Sequence, residues 1–284
     1  MCAMWVYKTE PIMAAASEQG QLFTFCKERQ ITDLFWQVHF DRSNGTVLKD
    51  AVPTRTFLKA AHAQSIRIHT LGGDPYHTLA KNHERVLAMA DAILEFNKSG
   101  EPFDGMHLDI EPHALPLWKK ATEAEKCDLL TQFVDVHTKV AEHLHAADPH
   151  LLSGADIVFW LDKLKPDGTA AYPVTYRGVT RDAAKFLLDA LDNVGIMSYR
   201  DTAEGKNGIV AIVANTIAYA DTASARAFVG VKMANVGPKN EGFFGSTETQ
   251  MMAKLRPVDE TYGPHRGYAG LAFFMYEAFR VMPR

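Results

Sequence analysis

Eight short apolar runs, each but the last followed by a longer stretch of helical spacing, constrain this chain more than any other feature. The runs fall at 3–9, 33–40, 65–71, 103–113, 150–160, 193–199, 225–236 and 268–276. They are rich in Val, Ile, Phe, Tyr and Trp, residues that suit a pleated, half-buried surface. Between them the spacing predicts helices over 17–30 with Ser17 as cap, 53–64, 83–98 and 123–147. Further helices are expected from a Thr180 cap to 191, over 209–221 and over 246–255, with a short helical tail after the last run. Thr122 and Glu125 form a capping-box signature before the longest helix, and Ser43, Asn44 and Gly45 mark a loop. Strand and helix alternating this regularly, with no linker or low-complexity tract, describe a single (β/α)8 TIM barrel over 1–284, fold class α/β. A doubly wound sheet is the competing architecture. It usually needs a phosphate-binding glycine loop after the first strand, and TEPIM is not one.

Composition narrows the functions open to such a barrel. The formal net charge is −4 with a pI near 6.3, so there is no basic surplus for nucleic acid. No apolar run reaches the ~18 residues of a membrane span. MCAMWVYKTE has no basic region followed by an apolar stretch, which points to a cytoplasmic protein. Cys2, Cys26 and Cys127 are far apart and form neither a metal motif nor a disulfide framework. No Walker, GxGxxG or GxSxG motif is present, and no cofactor or metal is expected.

In a barrel of this kind the active site lies at the C-terminal ends of the strands. Those ends carry Gln37, His39, Asp41, Asp156, Trp160, Tyr199, Arg200, Asp201, Lys232, Tyr276 and Glu277. The fourth run, FDGMHLDIEPH, is the most polar. Alternation turns Met106, Leu108 and Ile110 one way and His107, Asp109 and Glu111 the other, with Pro112 ending the strand. Three ionisable groups on one strand face are costly unless they line a site, and two like charges there resist joint ionisation. That is the setting for general-acid chemistry. Aromatic residues beside carboxylates suit sugars, so a carbohydrate or glycoconjugate is the expected partner, bound with help from Asp156, Trp160 and His39. Trp5 and Trp36 read as core, and the histidines of the helices as solvated.

DGMHLDIE (104–111) resembles the strand-four signature DGxDxDxE of family 18 glycoside hydrolases, the chitinase-like barrels. Asp104, Gly105, Asp109 and Glu111 match it in spacing, and MSY (197–199) looks like that family's strand-six motif. The resemblance implies retaining hydrolysis assisted by the substrate's acetamido group. Glu111 would be the general acid, Asp109 would stabilise and orient the acetamido group, and Tyr199 would hydrogen-bond the same intermediate. Three positions depart from the pattern. His107 replaces an Asp, which implies an Asp109–His107 hydrogen bond and a nearby imidazolium keeping Asp109 ionised. Arg200 follows the Tyr where an Asp is usual, with Asp201 displaced by one. The last run ends FFMYE without a Trp, leaving Tyr276 as the substitute sugar floor.

Two other functions fit the residues. A metal-dependent barrel isomerase or hydrolase would draw its ligands from His39, His69, His107, Asp109 and Glu111. A non-catalytic carbohydrate-binding barrel needs no acid, and lectins in the resembling group typically lose theirs, whereas Glu111 is retained here.

Overall fold

The structure, a computed structural model, describes residues 2–41 and 46–284. The expected loop at Ser43, Asn44 and Gly45 lies outside the described residues. The eight runs become the parallel strands β1 (Cys2–Val6), β2 (Ile31–Gln37), β3 (Arg67–Gly72), β4 (Gly105–Leu108), β5 (Leu152–Val158), β6 (Asn193–Met197), β7 (Arg226–Lys232) and β8 (Tyr268–Phe274). They close on themselves through a β1–β8 pairing, so the barrel has no free edge. Helices α1 (Thr9–Ala14), α2 (Ala16–Glu28), α3 (Ala51–His62), α4 (His83–Asn97), α5 (Glu123–Ala147), α6 (Ala183–Ala190), α7 (Ile209–Ala220) and α8 (Glu248–Tyr262) surround it, and α9 (Tyr276–Phe279) follows β8. Among the described residues no helix is long and apolar enough to cross a membrane.

Two cores result. The outer one lies between sheet and helices, where α5 contributes Leu130, Phe133, Val134 and Leu144 from one face. The inner one is small and mixed in polarity. Trp5, Phe35, Leu71 and Phe228 fill the barrel's axis, and the His107 ring stacks on Phe35 with centroids 3.9 Å apart. Such large side chains fit only because glycines stand opposite. A Cβ on Gly195 would lie 2.4 Å from Asp156 Oδ1, and one on Gly154 would lie 2.5 Å from His107 Nδ1. Large against small across the barrel is how its interior reaches close packing.

Several boundaries differ from expectation for identifiable reasons. Ser17 lies inside α2, whose N-cap is Ala15, because α1 already begins at Thr9 and carries Pro11 in its first turn. Thr180 is not a helix cap. It belongs to a hairpin, Val174–Tyr176 with Val179–Arg181, turned by Arg177 and Gly178 at φ of 49° and 81°. Positive φ at both central residues is the twist that favours tight hairpins. Asp182 caps α6 instead, accepting from Lys185 N–H at 3.0 Å. The last long helix runs past Pro257 to Tyr262, since Leu255, Val258 and Tyr262 all bury on one face and outweigh the missing donor. The Thr122–Glu125 capping box forms as read. The helix histidines are not all solvated: His137 is fully buried on α5, its Nδ1–H donating to Phe133 O at 2.7 Å.

β4 is shorter than the polar stretch suggests. Ladder pairing ends at Leu108, and residues 109–111 continue past the sheet. Asp109 N–H still donates to Gly72 O at 3.0 Å. A Cβ on Gly73 would lie 1.8 Å from Asp109 O, so only glycine lets the two chains meet there. The outcome is that Asp109 and Glu111 project above the rim of the barrel rather than from a strand.

Candidate active site

At the C-terminal ends of the strands is a cavity of about 410 Å³. Its aromatic part comes from both ends of the chain. Phe274, at the end of β8, lies 5.7 Å from Tyr7, 5.7 Å from Tyr199 and 6.1 Å from Trp5, ring centre to ring centre. Met197 and Met275 complete the apolar lining, and the Phe274–Met275 peptide is cis. Into this surface project three carboxyls, Asp109, Glu111 and Asp156.

Asp156 and His107 form one buried polar unit beneath the cavity. Asp156 Oδ2 accepts from Trp5 Nε1–H at 2.9 Å, and Oδ1 lies 3.0 Å from His107 Nε2. His107 Nδ1–H donates to Asn193 Oδ1 at 3.2 Å. Burial pushes the imidazole down to about 3 against the opposing effect of Asn193. Burial, with the Glu111 charge adding, holds Asp156 well above the usual carboxylate range despite the Trp5 bond. Both are therefore neutral, and Asp156 donates to the free Nε2. This corrects two expectations. His107 bonds Asp156 rather than Asp109, and no imidazolium stands near Asp109, because no water reaches His107 to solvate one.

Asp109 faces a different neighbour. The Tyr7 hydroxyl donates to it, while its buried Oδ1 has no hydrogen-bond partner among the described residues. Burial first, then the Asp156 and Glu111 charges, raise its carboxyl well above the usual range, against the Tyr7 bond. Asp109 thus rests protonated rather than ionised. Glu111 differs again: its side chain is about a third exposed (32%), with His113 Nε2 at 3.9 Å. Tyr199 closes the opposite side with its phenol pushed upward, chiefly by burial. Lys232 Nζ sits 5.2 Å above the Tyr199 ring and donates to Glu241 Oε2 at 3.1 Å.

The other sequence candidates are dispersed. Trp160 joins Trp118, Tyr172 and His113, with ring centres 5.6–5.7 Å from its own, in a cluster that reaches Glu111 through His113. Arg200 lies outside the cavity lining: its Nη1–H donates to Tyr199 O at 2.6 Å, and its guanidinium covers Phe159. Asp201 is tied by its backbone to Asn240 and Lys254 and does not line the cavity. His39, half exposed, pairs with Glu10 at 3.1 Å on the rim. Tyr276 cannot floor the site. As the first residue of α9 it is buried outside the barrel against Phe25, because the chain turns outward after Met275. Phe274, two residues earlier, occupies the floor. Glu277 is also absent from the cavity lining, its Oε1 accepting from the backbone N–H groups of Tyr7 and Lys8 at 3.0 and 2.5 Å.

Tyr7, Phe274 and the cavity-lining edge of Trp5 were not picked out as site residues by sequence reasoning. Alternation along the first run, with Trp5 and Tyr7 on one face, was the available signal. Among the described residues no three of His, Cys, Asp and Glu converge on a shared ligand position. His69 is engaged with Asp33 at 3.0 Å, deep in the barrel, His107 with Asp156 and His39 with Glu10, so the histidines named for a metal site do not join Asp109 and Glu111 at the cavity.

No family model and no curated protein matches the chain. Solved structures do. A GH18 chitinase from Pseudoalteromonas aurantia superposes with a TM-score of 0.61 at 11% identity, covering 97% of this chain and 93% of its own. An endo-1,4-beta-mannanase from Eisenia fetida gives 0.60 at 12% identity over 98% and 85%. A tamarind chitinase-like lectin gives 0.56 at 10% identity over 99% and 96%. The neighbours are thus GH18 chitinases and related barrel proteins at low sequence identity, and at that identity the likeness shows the fold alone, a closed (β/α)8 TIM barrel.

Proposed function

We propose that this protein is a glycoside hydrolase in which Glu111 is the general acid. The observation that carries the reading is the pairing, in one cavity, of the part-exposed Glu111 carboxyl with the Asp109 carboxyl, whose Oδ1 is buried, above an aromatic floor. A sugar ring laid on Phe274, with Trp5 packed beneath it, meets Glu111 at the open side, where a proton can pass to the leaving oxygen and be regained from water. Asp109, protonated at rest, is a poor nucleophile but a good hydrogen-bond donor. It therefore orients an acetamido oxygen or ring hydroxyl, and the Tyr7 and Tyr199 hydroxyls hold the same region. Attack by the substrate's own acetamido group fits this division better than attack by Asp109. Glu277 is a positioning residue, since it fixes the backbone that presents Tyr7.

The test is turnover of chito- and manno-oligosaccharides by the native protein and by Glu111→Gln. A loss of about 10²–10⁴ in kcat with an unchanged fold is expected. Unchanged turnover would refute the assignment. The lectin among the structural neighbours keeps a second reading in play, a carbohydrate-binding barrel without catalysis. Saturable oligosaccharide binding without turnover in the native protein would select it.

A further inference from the structure

A second cleft, of about 620 Å³, opens beside the first, between the tips of β2 and β3. Its chemistry is the opposite of the catalytic cavity's. Lys49, Lys81, Arg85 and the imidazoles of His39 and His77 line it. Asp74, the one carboxylate in the lining, is already engaged by the Tyr76 backbone N–H at 2.8 Å. Arg85 and Lys81 have no ion pair among the described residues. His77 is 96% buried, by its 4% exposure, and its Nδ1 has no hydrogen-bond partner among the described residues. His77 therefore belongs to the wall of the cleft, and the exposed Lys49, Lys81 and Arg85 give the cleft its charge. The cleft also touches the catalytic segment, because Gly72 and Gly73 in its wall meet the Asp109 backbone.

We infer that this cleft binds an anionic substituent of a saccharide, a carboxylate or sulfate group, on a residue next to the one whose glycosidic bond lies at Glu111. The inference rests on the glycosidase reading for its second half only. Cations on separate elements converge here, Lys49 before α3 and Lys81 and Arg85 around the start of α4, as charge-assisted recognition of an anion requires. The lining of the neighbouring cavity holds carboxyls and aromatic rings but no Lys, Arg or His, so an anionic substituent finds its counter-charge in the cleft rather than at the bond-breaking site. The sign of charge sets the register of the chain.

Calorimetric titration of the full protein with neutral tri-N-acetylchitotriose, trigalacturonate and a sulfated galactose trimer tests this. At low salt, at least one charged trimer is expected to bind roughly 10-fold or more tightly than the neutral one. Its lead should shrink several-fold at 0.5 M NaCl, where the Debye length is only a few Å. The arm that binds distinguishes carboxylate from sulfate. Lys81→Gln/Arg85→Gln should bring the charged-to-neutral affinity ratio close to one, with a thermal midpoint within about 2 °C of native showing the fold intact. Equal affinity for charged and neutral trimers in the native protein, or a preference surviving the double substitution, overturns the inference. Turnover of neutral trimers without anion preference would remove this inference and leave the glycosidase reading. An anion preference with no Glu111-dependent turnover would do the reverse.

Discussion

Burial decides what each carboxyl in the candidate site can do. Asp109, Asp156 and Glu111 come from similar sequence surroundings, yet Asp109 and Asp156 are held protonated while Glu111 reaches solvent. The consequence can be measured. Asp109→Asn keeps the shape and removes a group that would rather not ionise, so the variant should gain stability as pH rises. An acid whose folded pKa is raised contributes stability below its unfolded value and loses it as pH climbs toward the folded one. The melting-temperature gain should therefore be larger at pH 8 than at pH 6, while kcat falls by about 10-fold or more as the orienting hydrogen bond is altered. A variant no more stable than native at pH 8 would show that folding does not raise the Asp109 carboxyl above its unfolded value. Residue types and spacing were enough to single out Glu111 and Asp109. The protonation states were not legible, because they depend on Tyr7, Trp5 and Asn193, which are distant in sequence.

Strands and helices were the most readable level. α5 and its capping box follow from local signals within four residues of its start. The Val174–Arg181 hairpin was missed although alternating Val and Thr around Arg177–Gly178 carry its signature. The tips of β4 and β8 were harder. Where β4 stops, and whether Phe274 or Tyr276 faces the cavity, depends on the curvature of the closed sheet and on the turn into α9, not on alternation alone. Glycine spacing within strands belongs to this scale too. Gly195→Ala places a Cβ against Asp156 Oδ1 and the Trp5 ring, 2.4 and 3.0 Å away. Overpacking of this kind costs about 1–3 kcal/mol. Denaturant unfolding should report that loss, together with weaker oligosaccharide binding as Trp5 shifts. An unchanged midpoint would mean that the inner core yields freely.

The whole molecule carries a pH signature set by groups its two cores bury. His107 and His137 are depressed to about 3 and about 4, so their contribution is present above the unfolded value near 6.5 and is lost as pH falls through that range. Asp162 runs the other way. Burial, opposed by the bond from Thr216 Oγ1 at 2.6 Å, lifts it to about 6, so its contribution is lost as pH rises from about 4 to 6. Asp162→Asn should stabilise the protein by about 2 kcal/mol at pH 7, on the order of two pKa units at 1.36 kcal/mol each with some discount. At pH 3.5 the gain should vanish; a pH-independent gain in thermal melts would locate the effect elsewhere. These pairings join elements far apart in the chain, as do those of the site. The sequence alone determined the eightfold βα alternation, the barrel, and the carboxyl-bearing stretch that follows the fourth strand, since hydrophobic period and residue type act locally. Only the tertiary structure decided that His107 serves Asp156, that Phe274 forms the floor, and that a cationic cleft stands beside a carboxyl-lined cavity. Barrel closure, not proximity in sequence, brings those groups within reach of one another.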